Sequence, residues 1–231
     1  LTDLTVRHQG PGHVESWFVR ANHPTEPRAL WLKITILAPL AGPPVAEAWL
    51  VAFDTAARGW RDTVPLAEAT FDPPSAAGLQ VSPLGASGAV GPARLELRFV
   101  PCSEPLSILP RTWLERGFPR SKLLTPVPAM KVAGWLDLPD GRWLLDGWDG
   151  MLGHNWGREH AWEYAWGQCI FPGGAMVEGF TARVRVAGIV TPRLSALVVR
   201  EGGREHRFDR LFDPWNQRAD ISARAWTATP P

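Results

Sequence analysis

From Asp146 to Gly157 the chain reads Asp-Gly-Trp-Asp-Gly-Met-Leu-Gly-His-Asn-Trp-Gly, alternating carboxyl, imidazole and amide groups with indoles and glycines. Asp149 and His154 can each release or accept a proton once burial and neighbours tune them, and Asn155 adds a neutral hydrogen-bonding group. Trp148 and Trp156 offer broad apolar faces that also attract cations. Gly147, Gly150, Gly153 and Gly157 open backbone conformations closed to other residues and let a second group approach closely. Asp149, His154 and Asn155 can therefore converge on one small volume. The same residues equally suit a wide hairpin or bulge whose polar groups satisfy buried backbone.

The next stretch, Arg158 to Gln168, adds two ionisable candidates, Glu159 and His160. Read as a strand, it places Trp162, Tyr164, Trp166 and Gln168 on one face and Glu163 on the other. Such an aromatic wall is either core or the lining of a cavity for a long unsaturated apolar molecule. An earlier cluster runs from His13 to Pro24. There Glu15, Trp17 and Val19 share one side, and Ser16, Phe18 and Arg20 share the other. Whichever of Glu15 and Arg20 faces inward needs a partner. His23, just before a proline, is expected in a surface loop.

Several chemistries lack their signatures. His154 and His160 match no zinc-ligand spacing, so no metal site is expected. There is no G-x-S-x-G elbow, P-loop or dinucleotide fingerprint, and no cofactor is expected. Lys plus Arg number 24 against 23 for Asp plus Glu, which leaves no basic excess for nucleic acid. Cys102 and Cys169 lack metal-ligand spacing and are expected to be buried thiols. The longest apolar run, 29–40, is interrupted by Lys33 and Pro39, so no transmembrane segment is expected. No signal peptide is visible, which favours a cytoplasmic or membrane-peripheral location. The chain opens on Leu1 rather than Met, so further sequence upstream is expected.

The elements that position these residues read as strands. With 23 prolines and 22 glycines punctuating the chain, long helices are disfavoured and many short strands are favoured. Runs 14–20, 30–38, 45–53 and 93–100 are rich in branched or aromatic residues. In the last, Leu95, Leu97 and Phe99 alternate with Arg94, Glu96 and Arg98, giving one wet face. Segments 131–138 and 142–148 flank Pro139-Asp140-Gly141 and predict a hairpin leading into the motif. Further strands are expected at 160–171, 176–186, 194–200, 204–208 and 221–226. Residues 71–92 read as an irregular surface connection with a short strand at 79–81. One short helix is expected over 107–116, with Pro110 near its start and Gly117 at its end. Thirteen tryptophans against one tyrosine favour indole specifically, for a bulky core or an aromatic cavity. The whole reads as all-β.

Three segments carry a resemblance: GHVESWFVRANHPTEPRALWLKITIL, FPRSKLLTPVPAMKVAGWLDL and WDGMLGHNWGREHAWEYAWGQC. In them the chain resembles the lipocalin-like superfamily of bacterial carotenoid 1,2-hydratases (hydroxyneurosporene synthases) and AttH-type proteins, and more distantly the tocopherol cyclases. The resemblance implies a tandem pair of lipocalin-like antiparallel barrels, here 1–128 and 129–231, with the second incomplete at its C-terminal end. It implies a hydrophobic, isoprenoid-type small molecule as partner. It also implies a cofactor-free hydratase or cyclase reaction, in which an alkene is protonated to a tertiary cation and captured by water or an internal phenol. By motif position Asp149 and His154 become candidate proton donors, with Glu159 or His160 as partners. Trp148, Trp156, Trp162 and Trp166 would line the cation's path, and Asn155, Tyr164, Glu15, Trp17 and Arg20 complete the expected binding set. A non-catalytic carrier and a filled-barrel interaction module remain as alternatives, because a scaffold does not fix a reaction.

Overall fold

A computed structural model describes residues 3–8, 10–116, 119–186, 188–209, 218–222 and 225–229. The backbone divides into two compact units, Leu1–Ser107 with Lys122–Glu159, and Ile108–Ser121 with His160–Pro231. Each is built from antiparallel strands.

The first unit holds eleven strands: β1 (His13–Asn22), β2 (Ala29–Ala38), β3 (Val45–Phe53), β4 (Ala57–Pro65), β5 (Thr70–Phe71), β6 (Pro74–Ala76), β7 (Leu79–Ser82), β8 (Gly85–Val90), β9 (Ala93–Pro101), β10 (Ser121–Leu138) and β11 (Gly141–Gly157). They form one sheet in the order β4-β3-β2-β1-β11-β10-β9-β8-β7-β6-β5. Because β2 and β3 come to face β6, β7 and β8, the sheet curls over on itself. Its two arms are tied at several points. The Asp62 carboxylate on β4 accepts the Gly91 amide of the β8–β9 turn at 2.6 Å. Arg58 on β4 pairs with both Asp54 and Asp140, linking the β3–β4 and β10–β11 hairpins.

Alternation makes the inner face apolar. Leu95, Leu97 and Phe99 are buried while Arg94, Glu96 and Arg98 are exposed, as their sequence pattern requires. They join Trp17, Val19, Leu30, Leu32, Leu50, Leu79, Leu136 and Leu152 in one core. The expected hairpin is present: β10 and β11 are neighbours joined through Pro139 and Asp140. The expected boundary at 128/129 falls inside β10, an unbroken strand of the first sheet.

Three local expectations change. Residues 71–92 are no irregular connection but a meander of short strands, β6 to β8, whose Ala76, Leu79, Val81, Ala86 and Val90 are buried. The small residues hide its period-two pattern. The polar run 57–65, given no element in the sequence, is an edge strand that alternates exposed and half-buried positions. Cys102 and Cys169 are exposed rather than buried, Cys102 just past β9 and Cys169 facing outward on an edge strand.

The second unit contains α1 (Arg111–Leu114), β12 (Glu163–Ile170), β13 (Met176–Arg183), β14 (Arg185–Val186), β15 (Ile189–Val190), β16 (Leu194–Glu201), β17 (Arg204–Phe208), β18 (Arg218–Ile221) and β19 (Trp226–Thr229). Strands β12, β13, β16 and β17 form a four-stranded sheet, and β14–β15 and β18–β19 are separate pairs. The helix expected over 107–116 is a single turn, and Gly117 lies outside the described residues. The strand expected at 221–226 is not continuous: Ile221 ends β18, Trp226 opens β19, and residues 223–224 lie outside the described residues. Ile221 pairs with Trp226, and Ser222 donates its amide to the Ala225 carbonyl at 2.8 Å.

Candidate active site on the inner face of the first sheet

Strand β1 lies between β2 and β11 in the interior of the sheet, and its register with β11 assembles the site. Glu15 stands opposite Trp156, and Trp17 opposite His154. Directly opposed residues share a face, so these four side chains meet on the inner side of the sheet. All four are buried, with Glu15, Trp17 and His154 fully so. On the reverse face Phe18 stands opposite Gly153. A Cβ on Gly153 would come within 2.2 Å of the Phe18 ring, so only glycine lets that ring lie flat against β11.

At the centre is a carboxylate shared by two imidazoles. His154 Nε2 lies 2.8 Å from Glu15 Oε1, and His13 Nε2 lies 3.2 Å from Glu15 Oε2. The Arg7 backbone N–H donates to both oxygens, at 2.8 and 2.9 Å. Burial pushes the Glu15 carboxyl up, but hydrogen bonds from His13 and His154, the His154 charge and the Arg7 amide pull harder and hold it below the ordinary carboxylate value. Glu15 is therefore the ionised, accepting member, and each facing Nε2 donates to it.

The His154 ring sits between two indoles. Trp17 stacks on it at 5.0 Å with planes 17° apart, and Trp156 lies at 4.7 Å, tilted by 37°. Phe71 stacks on Trp17 at 5.4 Å. The second ring nitrogen, Nδ1, is buried and has no hydrogen-bond partner. A polar atom left this way costs about 1–3 kcal/mol, which a purely structural histidine would normally avoid.

The other expected residues lie elsewhere. Asp149 stands on the reverse face of β11, opposite Asn22, and pairs with Lys131 at 2.7 Å at the surface. Asn155, half-buried, is also on the reverse face, opposite Ser16. Arg20 is half-buried there too, opposite Met151. Trp148 is buried on the inner face, edge-on to His23 at 5.2 Å. His23 itself accepts the Thr25 and Glu26 amides in the β1–β2 turn. Glu159 is half-buried past the end of β11, and His160 is exposed in the second unit. Trp162 and Tyr164 are 57% and 59% exposed, with the Arg185 guanidinium 3.8 Å above the Trp162 ring. Trp166, half-buried, donates its indole N–H to Glu178 at 3.2 Å.

Thus Glu15, Trp17, His154 and Trp156 come together, and the carboxyl beside His154 is Glu15 rather than Asp149. Sequence reasoning passed over His13, Arg7 and Leu4. His13 was legible, since it precedes Glu15 by two positions and so shares its face. Arg7 and Leu4 belong to an unpaired segment with no periodic signal. Among the described residues no group of three or more His, Cys, Asp or Glu side chains is placed to hold a metal ion. No helix there is long and apolar enough to cross a membrane. The second unit carries a half-open pocket of about 170 Å³ lined by Ser195, Ala196, Leu197, Trp226 and Ala228.

No protein-family profile matches the chain. Among solved structures, the first unit's curled sheet and the second unit's strands are similar to those of a Nitrosomonas europaea protein described as a candidate AttH. The TM-score is 0.62 at 14% identity, covering 94% of this chain and 75% of that one. The fold is all-β and lipocalin-like. CghA is also similar, with a TM-score of 0.60 at 12% identity, and with Sch210972 bound the score is 0.58 at 11% identity. Both CghA matches cover 84% of this chain and 59% of CghA. In sequence, an uncharacterized protein of Mycobacterium tuberculosis, from strains CDC 1551 and H37Rv, is 26% identical over 178 residues. That match takes in 74% of this chain and 53% of the relative, so the chain spans about half the length of the curated relatives it matches.

Proposed function

We propose that the first unit binds a hydrophobic, isoprenoid-type small molecule against the Trp17–His154–Trp156 stack, and that the His154–Glu15 pair moves a proton to or from it. The observation that carries this reading is the buried, unpartnered Nδ1 of His154 between two indoles. With Nε2–H committed to Glu15, Nδ1 is the only ring atom left to act on a ligand. Carrying a proton, Nδ1 is a donor; without one it is an acceptor. A proton delivered to an alkene leaves a carbocation, which indole faces stabilise; capture by water or an internal hydroxyl, whose surplus proton returns to Nδ1 of His154, completes a hydration or a cyclisation. AttH-type and CghA structures support the scaffold alone.

A carrier reading is favoured by one fact: Asp149, the other expected acid, pairs with Lys131 on the reverse face. Incubation with linear polyprenes separates the two. Catalysis predicts a product heavier by one water, or an isomeric cyclic product, that His154→Ala abolishes. Quenching of tryptophan fluorescence by the same polyprenes without any product selects the carrier. If neither polyprenes nor the corresponding polyprenols quench or react, the ligand-binding reading is wrong.

A further inference from the structure

Residues 3–8 cross the inner end of the first sheet without pairing to any strand. They are held through Leu4 and Arg7 against side chains of the candidate site, and His8 rests edge-on against His13 at 5.2 Å. Leu4 is buried in the core beside Trp17, and its carbonyl accepts the Trp17 indole N–H at 3.0 Å. The Arg7 amide donates to both Glu15 oxygens. The Arg7 guanidinium lies 5.6 Å over the Trp156 ring and pairs with Asp3. Between and beside these anchors Thr5 and Val6 are exposed. A segment held by a few side-chain contacts, with no ladder and with solvent on one side, belongs to the low-stability end of a fold.

The anchors are also unusual in kind. A buried indole N–H and a buried carboxylate are the groups with which a pocket orients an apolar ligand, and here a peptide carbonyl, a peptide amide and a leucine side chain occupy them. We infer that residues 3–8 are a detachable strap occupying the ligand's place, and that its release, without unfolding of the sheet, opens the Trp17–Glu15–His154 surface. The occupant that replaces it has an apolar body in the place of Leu4, an oxygen that accepts from Trp17 Nε1 and a hydroxyl that donates to Glu15. That is an oxygenated isoprenoid rather than a bare hydrocarbon. This inference rests on the ligand-binding reading above and adds its gate.

The test uses the full chain, the variants Arg7→Pro and Leu4→Gly, and two readouts. Arg7→Pro deletes the amide bound to Glu15, and Leu4→Gly deletes the apolar anchor, so failure of one variant to fold leaves the other. Hydrogen exchange is expected to show lost protection over residues 3–8 with β1 and β11 unchanged. Geranylgeraniol, followed by tryptophan quenching, is expected to bind about tenfold more tightly to both variants, because each has lost one anchor of the competing strap. Geranylgeranyl methyl ether, which lacks the donor, is expected to gain less. Loss of protection spreading into β1 and β11 overturns the strap, as does unchanged affinity in variants whose strap is released. Local release with no binding of either probe by any form overturns the ligand reading instead.

Discussion

His154 Nε2 and Glu15 Oε1 are 2.8 Å apart although 139 positions separate the residues, and both side chains are fully buried. A pair of this kind depends on each partner keeping the other satisfied. Removing one charge partner from a buried pair typically costs about 3–5 kcal/mol, because the survivor is left desolvated. Glu15→Ala strands His13, His154 and the Arg7 amide together, and a loss at the upper end of that range is expected in urea denaturation of the first unit. Glu15→Gln keeps one carbonyl acceptor and is expected to cost about 1–3 kcal/mol. Equal and small losses for both would show that the cluster does not hold the sheet together.

The same carboxylate sets an acid limit. Glu15 sits below its ordinary value of 4.5 in the folded chain: burial raises it, and the His13, His154 and Arg7 contacts lower it by more. A group whose pKa is depressed by folding stabilises fully above its unfolded value, and that contribution is lost as pH falls through the folded value. Stability is therefore expected to fall below about pH 4.5. His8, edge-on to His13, is also depressed from 6.5, by burial and then by the His13 charge, with Glu15 opposing. Its contribution is lost from about pH 6.5 downward. Asp3, whose carboxyl is lowered although burial opposes it, adds to the lower window through its Thr5 hydrogen bonds and Arg7. Denaturation midpoints across pH 3–7 check the assignment: Glu15→Gln is expected to reduce the lower window to the part Asp3 supplies and to deepen the upper one, since the charge opposing the His8 shift is gone, whereas His8→Asn is expected to remove the upper window.

The strands were legible where large residues alternate, as in Leu95-Glu96-Leu97-Arg98-Phe99, and obscured where alanine and glycine carry the alternation, as in β6 to β8. Within the site the decisive information was parity. Asp149 and Asn155 differ from His154 by odd numbers, so one extended strand over Gly141–Gly157 sends them to the opposite face. The glycines suggested that all three converge on one small volume, yet Gly153 makes room for Phe18 across a regular ladder. Glu15 and Trp17 were visible as an alternating pair. Their partner across the sheet was not, because register between distant strands is set by packing that a local pattern does not contain.

Parity makes Asp149 a sharp control. Its ion pair with Lys131 is at the surface, where such pairs contribute about 0–1 kcal/mol. Asp149→Asn is expected to shift stability by less than about 1 kcal/mol and to leave polyprene quenching and any turnover at wild-type levels. His154→Gln, in contrast, is expected to abolish turnover. An inactive but stably folded Asp149→Asn protein would return that residue to the chemistry and require β11 to rearrange in the working state.

Gly153 tests whether the reverse face helps to hold the register that joins Trp17 to His154. A Cβ there would lie 2.2 Å from Phe18 Cζ and 2.7 Å from Cε1 and Cε2, distances no folded side chain tolerates. Gly153→Ala must therefore displace a ring that is 8% exposed, or part β1 from β11. Overpacking of this kind costs about 1–3 kcal/mol. Phe18→Leu alone opens a void and costs about 1 kcal/mol or more, since it removes buried ring carbons. In the double variant the two defects offset each other, so the coupling energy is expected to exceed about 1 kcal/mol. Urea denaturation of the wild type, both single variants and the double variant measures it. Additive losses would mean that the ring swings clear of Gly153 without strain, and that the Trp17–His154 register is held from the inner face alone.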